Sequence, residues 1–180
     1  MAIEQIDLLL LHRPDPLMDA QETSTVLDAL ITSGKVKAIG VSNFRPWDID
    51  LLQSQTTNQL VCNQIEISLT EHNSFINGDL AYLQQHHISP MAWSPLSGGD
   101  LFKNPQSLLN IQLNALAKIY SVQPASVAIA WLLRHPARIL PIMGSNNIQR
   151  IRQFSEALKI ELDRETWFQL LQAASGHEVP

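Results

Sequence analysis

The sequence predicts an α/β protein built on a parallel sheet, and three observations carry that prediction. Short apolar runs alternate with longer segments whose apolar residues recur at helical spacing. The first run, Ile6 to Leu11, is bounded by charged and proline-rich sequence, as suits a strand buried on both faces. Polar residues gather at the ends of the runs and not at their starts, which is where a parallel βα fold presents groups to a ligand.

Each element has its own local signal. From about Asp19 to Ser33 the apolar Val26, Leu27, Leu30 and Ile31 share a helix face, and Gly34 with Lys35 and Lys37 supplies a stop and dipole-complementing charge. Ala38 to Val41 reads as a strand and Ser42 to Arg45 as a turn. Pro46 then opens a helix at its first position, with Asp48 and Asp50 in the first turn. Leu60 to Ile67 reads as a strand, Gly78 to His86 as a short helix, and Pro90 to Trp93 as a strand followed by the Ser94 to Gly99 turn. Ile111 to Tyr120 and Pro124 to Leu133 form a helical pair, and Arg138 to Ile142 is a fifth strand. Asn147 to Leu158 and Asp163 to Ala174 are closing helices. Strands separated by helices throughout imply right-handed βαβ units. Five of them could make a small open sheet or most of an eight-stranded barrel, and periodicity alone does not separate the two.

Composition narrows the function classes. A chain of 180 residues with 45% apolar and 16% charged residues can bury one core, so a single domain over residues 1–180 is expected. The net charge of -5, with Lys and Arg scattered, lacks the footprint of a nucleic-acid or anionic-membrane binder. Cys62 is the only cysteine, which excludes an intrachain disulfide and a cysteine zinc cluster and fits a reducing compartment. The N-terminus has no basic region before its short apolar run, so a cytoplasmic protein is expected. His86-His87 complements a helix C-terminus and has no carboxylate or thiol at metal-ligand spacing, so no metal is expected.

The strand ends hold the candidate chemistry. His12 ends the first strand, Ser42 and Asn43 the second, and Asn63, Gln64 and Glu66 lie late in the third. Trp93, Ser94 and Ser97 follow the fourth, and Gly144, Ser145 and Asn146 the fifth. Together they offer an imidazole, amide donors and acceptors, an aromatic plane and Ser/Gly turns whose N–H groups could cradle phosphate. Singly, each has an ordinary role: a structural histidine, a turn, a core tryptophan, a solvated arginine. Their joint occurrence at consecutive strand ends suits a planar heteroaromatic cofactor carrying phosphates.

Several of these residues sit in longer patterns. Asp7-Leu8-Leu9-Leu10-Leu11-His12-Arg13-Pro14 resembles the fourth-strand motif of aldo-keto reductases, and Gly34 to Phe44 resembles one of that family's signature patterns. Asn63-Gln64-Ile65-Glu66, Ala92-Trp93-Ser94-Pro95-Leu96 and the Ile139 to Arg150 region follow in the family's order. The resemblance implies a (β/α)8 barrel of TIM type, of which this chain would carry strands four to eight, an incomplete barrel of about five βα units lacking its N-terminal part. Met1 then falls inside the helix before strand four, as in a truncated gene or a start at an internal methionine. Such a piece would leave two unpaired sheet edges through which the chain could self-associate.

The resemblance also implies a function: NADP(H)-dependent reduction of an aldehyde or ketone to an alcohol, by a Tyr, Lys, Asp and His. Of these four only His12 has a matching position here, because Tyr82 and Tyr120 fall in helices and no lysine lies in a matching motif. By the same resemblance Ser42, Asn43 and Gln64 would hold the nicotinamide carboxamide and Trp93 would stack on the ring. Ser94, Leu96 and Ser97 would line the pyrophosphate. Gly144, Ser145, Asn146 and Arg150 belong to the adenosine end, with Ser145 and Arg150 on the 2′-phosphate. Met143-Gly144-Ser145 stands where many members have Pro-Lys-Ser, so the preference for NADP(H) over NAD(H) rests chiefly on Arg150. The chain is thus expected to be inactive alone, with a small-molecule carbonyl substrate if completed. The alternative is a non-catalytic cofactor-binding remnant or a self-associating module.

Overall fold

The computed structural model describes residues 3–178. Five strands, β1 (Ile6–Leu11), β2 (Val36–Ser42), β3 (Leu60–Glu66), β4 (Ser89–Trp93) and β5 (Leu140–Pro141), follow in chain order in one sheet. The printed pairings, β1 with β2 and β2 with β3, are both parallel. Seven α-helices intervene or follow: α1 (Ala20–Thr32), α2 (Pro46–Gln53), α3 (Asp79–Gln85), α4 (Leu108–Tyr120), α5 (Pro124–Leu133), α6 (Ile148–Phe154) and α7 (Arg164–Ser175). The chain divides into two compact units, Met1–Ile65 with Gly78–Met91, and Glu66–Asn77 with Ala92–Pro180.

In the first unit the helix boundaries follow their caps. Asp19 accepts from the N–H groups of Gln21 and Glu22 to open α1, and Gly34, at φ +73, lies just past its end. Pro46 occupies the start of α2, where Arg45 and Asp48 close a capping box. The α1 carboxylate Asp28 accepts from Thr56 Oγ1 and, at 2.8 Å, from Asn58 Nδ2, which ties the α2–β3 loop to α1. These hydrogen bonds hold the Asp28 carboxyl below its ordinary pKa. Ile39, Val41, Ile49, Leu52, Leu60, Leu80 and Leu83 are all buried, each removing about 1.5–3 kcal/mol of apolar side chain from water. Gly40 sits where no side chain fits: a Cβ there would lie 2.5 Å from Cys62 Sγ and 2.8 Å from Cys62 O. Burial also pushes the Cys62 thiol up to about 11, so it is a packing residue and not a nucleophile.

The second unit is centred on α5, in which every residue from Ser126 to Leu132 is buried. A helix apolar all round has no solvent face. Its Trp131 stacks on Trp167 of α7 with ring centroids 4.8 Å apart and planes at 9°. Each indole N–H donates to the other residue's carbonyl, at 3.1 and 2.9 Å. Phe75 packs tilted against both indoles and meets His135 edge-on, and burial lowers the His135 pKa. Among the described residues no single helix is long and apolar enough to cross a membrane; α4 and α5 pass by length and composition only together, bent by 93°.

Three expectations are corrected in detail. The fifth strand is two residues, not five, because Arg138 takes a left-handed φ of +56° and Pro141 has no N–H to donate. The helix expected from Asn147 to Leu158 ends as α at Phe154 and continues as a 3-10 segment, Ser155–Lys159. The turn after β4 contains a 3-10 segment, Ser97–Phe102, and α4 starts at Leu108, three residues earlier than the apolar spacing indicates, behind the Ser107 cap.

Candidate functional site

Register sets the first unit's strand ends. Leu11 pairs with Val41, Val41 with Asn63 and Ser42 with Gln64, so β2 ends one residue past the last β1 pair, β3 runs two residues past Ser42–Gln64 to Glu66, and His12 follows β1 one step past the Leu11–Val41 pair. Ser42 is 2% exposed; its hydroxyl donates to Gln64 O at 2.9 Å and accepts from Asn43 Nδ2 at 3.0 Å. Asn43 adopts φ +58° and donates its own N–H to Gln64 O at 2.9 Å. Beneath them Asn63, 1% exposed, donates from Nδ2 to Phe44 O at 2.7 Å, while its Oδ1 is buried without a partner. His12 is exposed and Gln64 half-buried, so an imidazole and a carboxamide are accessible at strand ends where Ser42 and Asn63 form a buried, hydrogen-bonded floor.

The second unit carries a cleft of about 980 Å³. One wall is the turn after β4, where Ser94 at φ +48° and Ser97 at φ +52° precede two left-handed glycines, Gly98 and Gly99. Left-handed conformations at non-glycine residues cost about 1–3 kcal/mol and cluster at functional sites. Ser94, Leu96, Gly98 and Gly99 line the cleft from this side, and Trp93, half-buried, ends β4 just before them. The opposite wall comes from the stretch after β5, which Ile142 N anchors to Ala92 O at 2.8 Å. Gly144, Ser145 and Arg150 line it there. Asn147 caps α6 by accepting from the N–H groups of Gln149 and Arg150, at 2.9 and 3.2 Å, which fixes where Arg150 stands. Arg150 is the single cation among the lining residues, which include no carboxylate.

Not every candidate meets in this cleft. Asn146 is exposed and outside its lining; half-buried Ser97 is outside it too, its hydroxyl turned toward Ser68 and Thr70. Asn110, Asn114, Gln153 and Phe154 line the cleft although no motif marked them. Asn110 and Asn114 lie four apart on α4, and Gln153 lies three past Arg150 on α6, so spacing puts each pair on one helix face without saying what that face meets. Glu66 ends β3 half-buried, its pKa raised by burial and by Glu71.

Both tyrosines are engaged elsewhere. Tyr82 in α3 donates to Asp50 Oδ1, and burial with this carboxylate raises its pKa well above the ordinary value. Tyr120 donates to Glu161 O at 2.9 Å. Among the described residues no group of three His, Cys, Asp or Glu is placed to hold a metal.

Parallel strands, polar residues at their C-terminal ends and a lone-cation cleft beside Ser/Gly turns define a βα protein whose ligand chemistry sits at the strand ends. The sequence profile of the Aldo/keto reductase family matches residues 1–174, and the chain belongs to that family. It is 57% identical over 179 residues to a 6-dehydroglucose reductase of Agrobacterium fabrum, covering 99% of this chain and 60% of that protein. It is 42% identical over 182 residues to the oxidoreductase YdhF of Escherichia coli, covering 100% and 61%. Among solved structures, an aldo-keto reductase from Klebsiella pneumoniae in complex with NADPH superposes with a TM-score of 0.83 at 26% identity, covering 98% of this chain and 60% of that one. A thermostable aldo-keto reductase bound to the inhibitor epalrestat superposes with a TM-score of 0.86 at 25% identity, covering 95% and 60%. The chain therefore spans about 60% of the length of the relatives it matches.

Proposed function

We propose that these 180 residues are the cofactor-binding portion of an NADP(H)-dependent carbonyl reductase, corresponding to strands four to eight of an incomplete (β/α)8 barrel. The observation that carries this is the second unit's cleft, which has Ser/Gly turns on both walls, an apolar Leu96–Phe102–Ile142–Phe154 lining, and Arg150 with no carboxylate to oppose an anion. Its volume is in the range of cofactor pockets. Backbone N–H groups of left-handed turns and a guanidinium are the donor set a pyrophosphate and a sugar phosphate need. In this reading Ser94, Leu96, Gly98 and Gly99 meet the pyrophosphate, Ser145 and Arg150 the 2′-phosphate, and Trp93 stacks on the ring. The first unit's Asn43 and Gln64, over the Ser42 floor, are of the kind that hold a carboxamide, and the exposed His12 can orient a carbonyl oxygen.

When bound, the nicotinamide supplies the hydride. Reduction also consumes a proton, and the engagement of Tyr82 and Tyr120 leaves neither to give one. That observation favours a second reading of the isolated chain, in which it binds cofactor and orients a carbonyl without turnover. The sugar-derived substrate in one relative's name places a polyol carbonyl first among compounds to try.

Titration of the purified chain with NADPH and NADH, followed by nucleotide fluorescence, tests the proposal. Saturable binding that prefers NADPH supports it; no binding of either nucleotide by a cooperatively folded chain would overturn it.

A further inference from the structure

We propose that Ser68 and Thr70 are positioning residues, whose hydroxyls clasp Ser97 and hold the left-handed turn at residues 97–99 in the shape that walls the cleft. The inference rests on the reading of that cleft as a nicotinamide-nucleotide site. Three hydroxyls meet here within the second unit: Ser68 Oγ lies 2.9 Å from Ser97 Oγ and 3.1 Å from Thr70 Oγ1, and Ser97 Oγ touches Thr70 Oγ1.

Proton bookkeeping gives the clasp a direction. Ser68 Oγ accepts from Thr70 N at 3.2 Å and from Glu71 N at 3.0 Å, which occupies both of its lone pairs. Its one hydrogen is therefore donated within the cluster, and Ser97 is the nearer acceptor. Ser68 is 0% exposed, so water does not compete for that bond.

Backbone geometry says why the clasp is needed. Ser97, Gly98 and Gly99 take φ values of +52°, +63° and +99° in succession. At Ser97 a glycine would sit without strain, whereas a serine costs roughly 1–2 kcal/mol. The hydroxyl contacts offset that cost and select this turn. Ser97 itself is outside the cleft's lining, but Ser97 N donates to Ser94 O at 2.7 Å and Gly99 N to Leu96 O at 2.8 Å, and Ser94, Leu96, Gly98 and Gly99 are all wall residues. The clasp thus acts on the wall and not on the ligand.

The test compares Thr70→Val, Thr70→Ser and Ser97→Gly in the 180-residue chain, with two readouts: NADPH affinity, and amide hydrogen exchange at residues 97–99 without nucleotide. Thr70 is exposed, so Thr70→Val should leave the midpoint of thermal unfolding within about 2 °C. The expected result is faster exchange at residues 97–99 and about tenfold weaker NADPH binding for Thr70→Val and Ser97→Gly, as when the competent state falls to a tenth of its population, with both restored in Thr70→Ser. Unchanged exchange in Thr70→Val overturns the clasp whether or not nucleotide binds. Weak binding in Ser97→Gly with normal binding in Thr70→Val also overturns it, since Ser97 would then act on the ligand directly. Faster exchange in a chain whose wild type binds no NADPH overturns the role in cofactor binding and, with it, the cofactor reading, while leaving the hydroxyl contacts as a structural feature.

Discussion

The ends of β2 and β5 carry the same kinds of residue and are built in opposite ways. At β2, Ser42 and its β3 neighbour Asn63 are almost fully buried, each held by a side-chain hydrogen bond to backbone, and Gly40 packs against Cys62 with no room for a methyl group. After β5, Gly144 has nothing within 4 Å of a would-be Cβ, Asn146 and Arg150 are exposed, and α6 buries no residue. The first is a floor whose shape the core dictates. The second is a rim held by the Ile142–Ala92 backbone hydrogen bond and by the Asn147 cap, at 2.9 and 3.2 Å. Sites that recognise a charged, solvent-facing group can be built on a rim, whereas a neutral, planar group needs the precision of a floor.

Glycine substitution breaks this comparison most sharply. Gly40→Ala should cost about 3 kcal/mol or more, because the displaced atoms include the Cys62 carbonyl and not only flexible side chains. Gly144→Ala should change stability by less than about 0.5 kcal/mol. Chemical denaturation of the two variants checks both, and equal losses would erase the distinction between floor and rim. Arg150→Ala is expected to lower NADPH affinity roughly 10- to 100-fold, as for loss of a charge-assisted contact, with no loss of stability. A matching loss for NADH would show that Arg150 does not read the 2′-phosphate.

Smaller effects sharpen the picture. Asn63→Ala removes a buried donor and orphans Phe44 O, for about 1–3 kcal/mol in urea denaturation. Asn147→Ala should cost about 1 kcal/mol or less, confined to α6 and visible as faster amide exchange there. The smallest is a pH effect at Asp28. Folding lowers its pKa, so below the ordinary carboxylate range the unfolded chain holds more protons than the folded one. The stability this carboxylate contributes is complete above its unfolded pKa and is lost as pH falls through the lower folded value. Asp28→Asn should therefore flatten the acid limb of the stability curve; an unchanged limb would remove Asp28 from the account.

How far these features were legible in the sequence depended on the range of the signal. Caps are local, so Asp19, Pro46, Gly34 and Asp163 place α1, α2 and α7 to within a residue or two. The fifth strand was overread because Arg138 to Ile142 has strand-like composition, while its left-handed Arg138 is set by tertiary context. Among candidate site residues, Ser94, Leu96, Gly144, Ser145 and Arg150 from the family-like patterns line the cleft, whereas Ser97 and Asn146 do not. Asn110 and Asn114 were missed, because an asparagine pair on a helix is indistinguishable by sequence from a solvated face. Ser97 was marked for the cleft by its neighbours, and only three-dimensional structure could turn its hydroxyl toward Ser68 and Thr70, nearly thirty residues earlier.

The paired indoles of Trp131 and Trp167 give the molecule an optical signature. Stacked nearly parallel at 4.8 Å and each bonded to the other's carbonyl, they are two chromophores close enough to couple as excitons, so α5 and α7 separating should abolish a couplet in the far-ultraviolet circular dichroism. Trp47, 59% exposed at the start of α2 and with the Arg45 guanidinium 5.0 Å from its ring centroid, lies in the other unit and has no part in this couplet. The couplet is thus a channel that follows the second unit by itself in a melting experiment on the unlabelled chain.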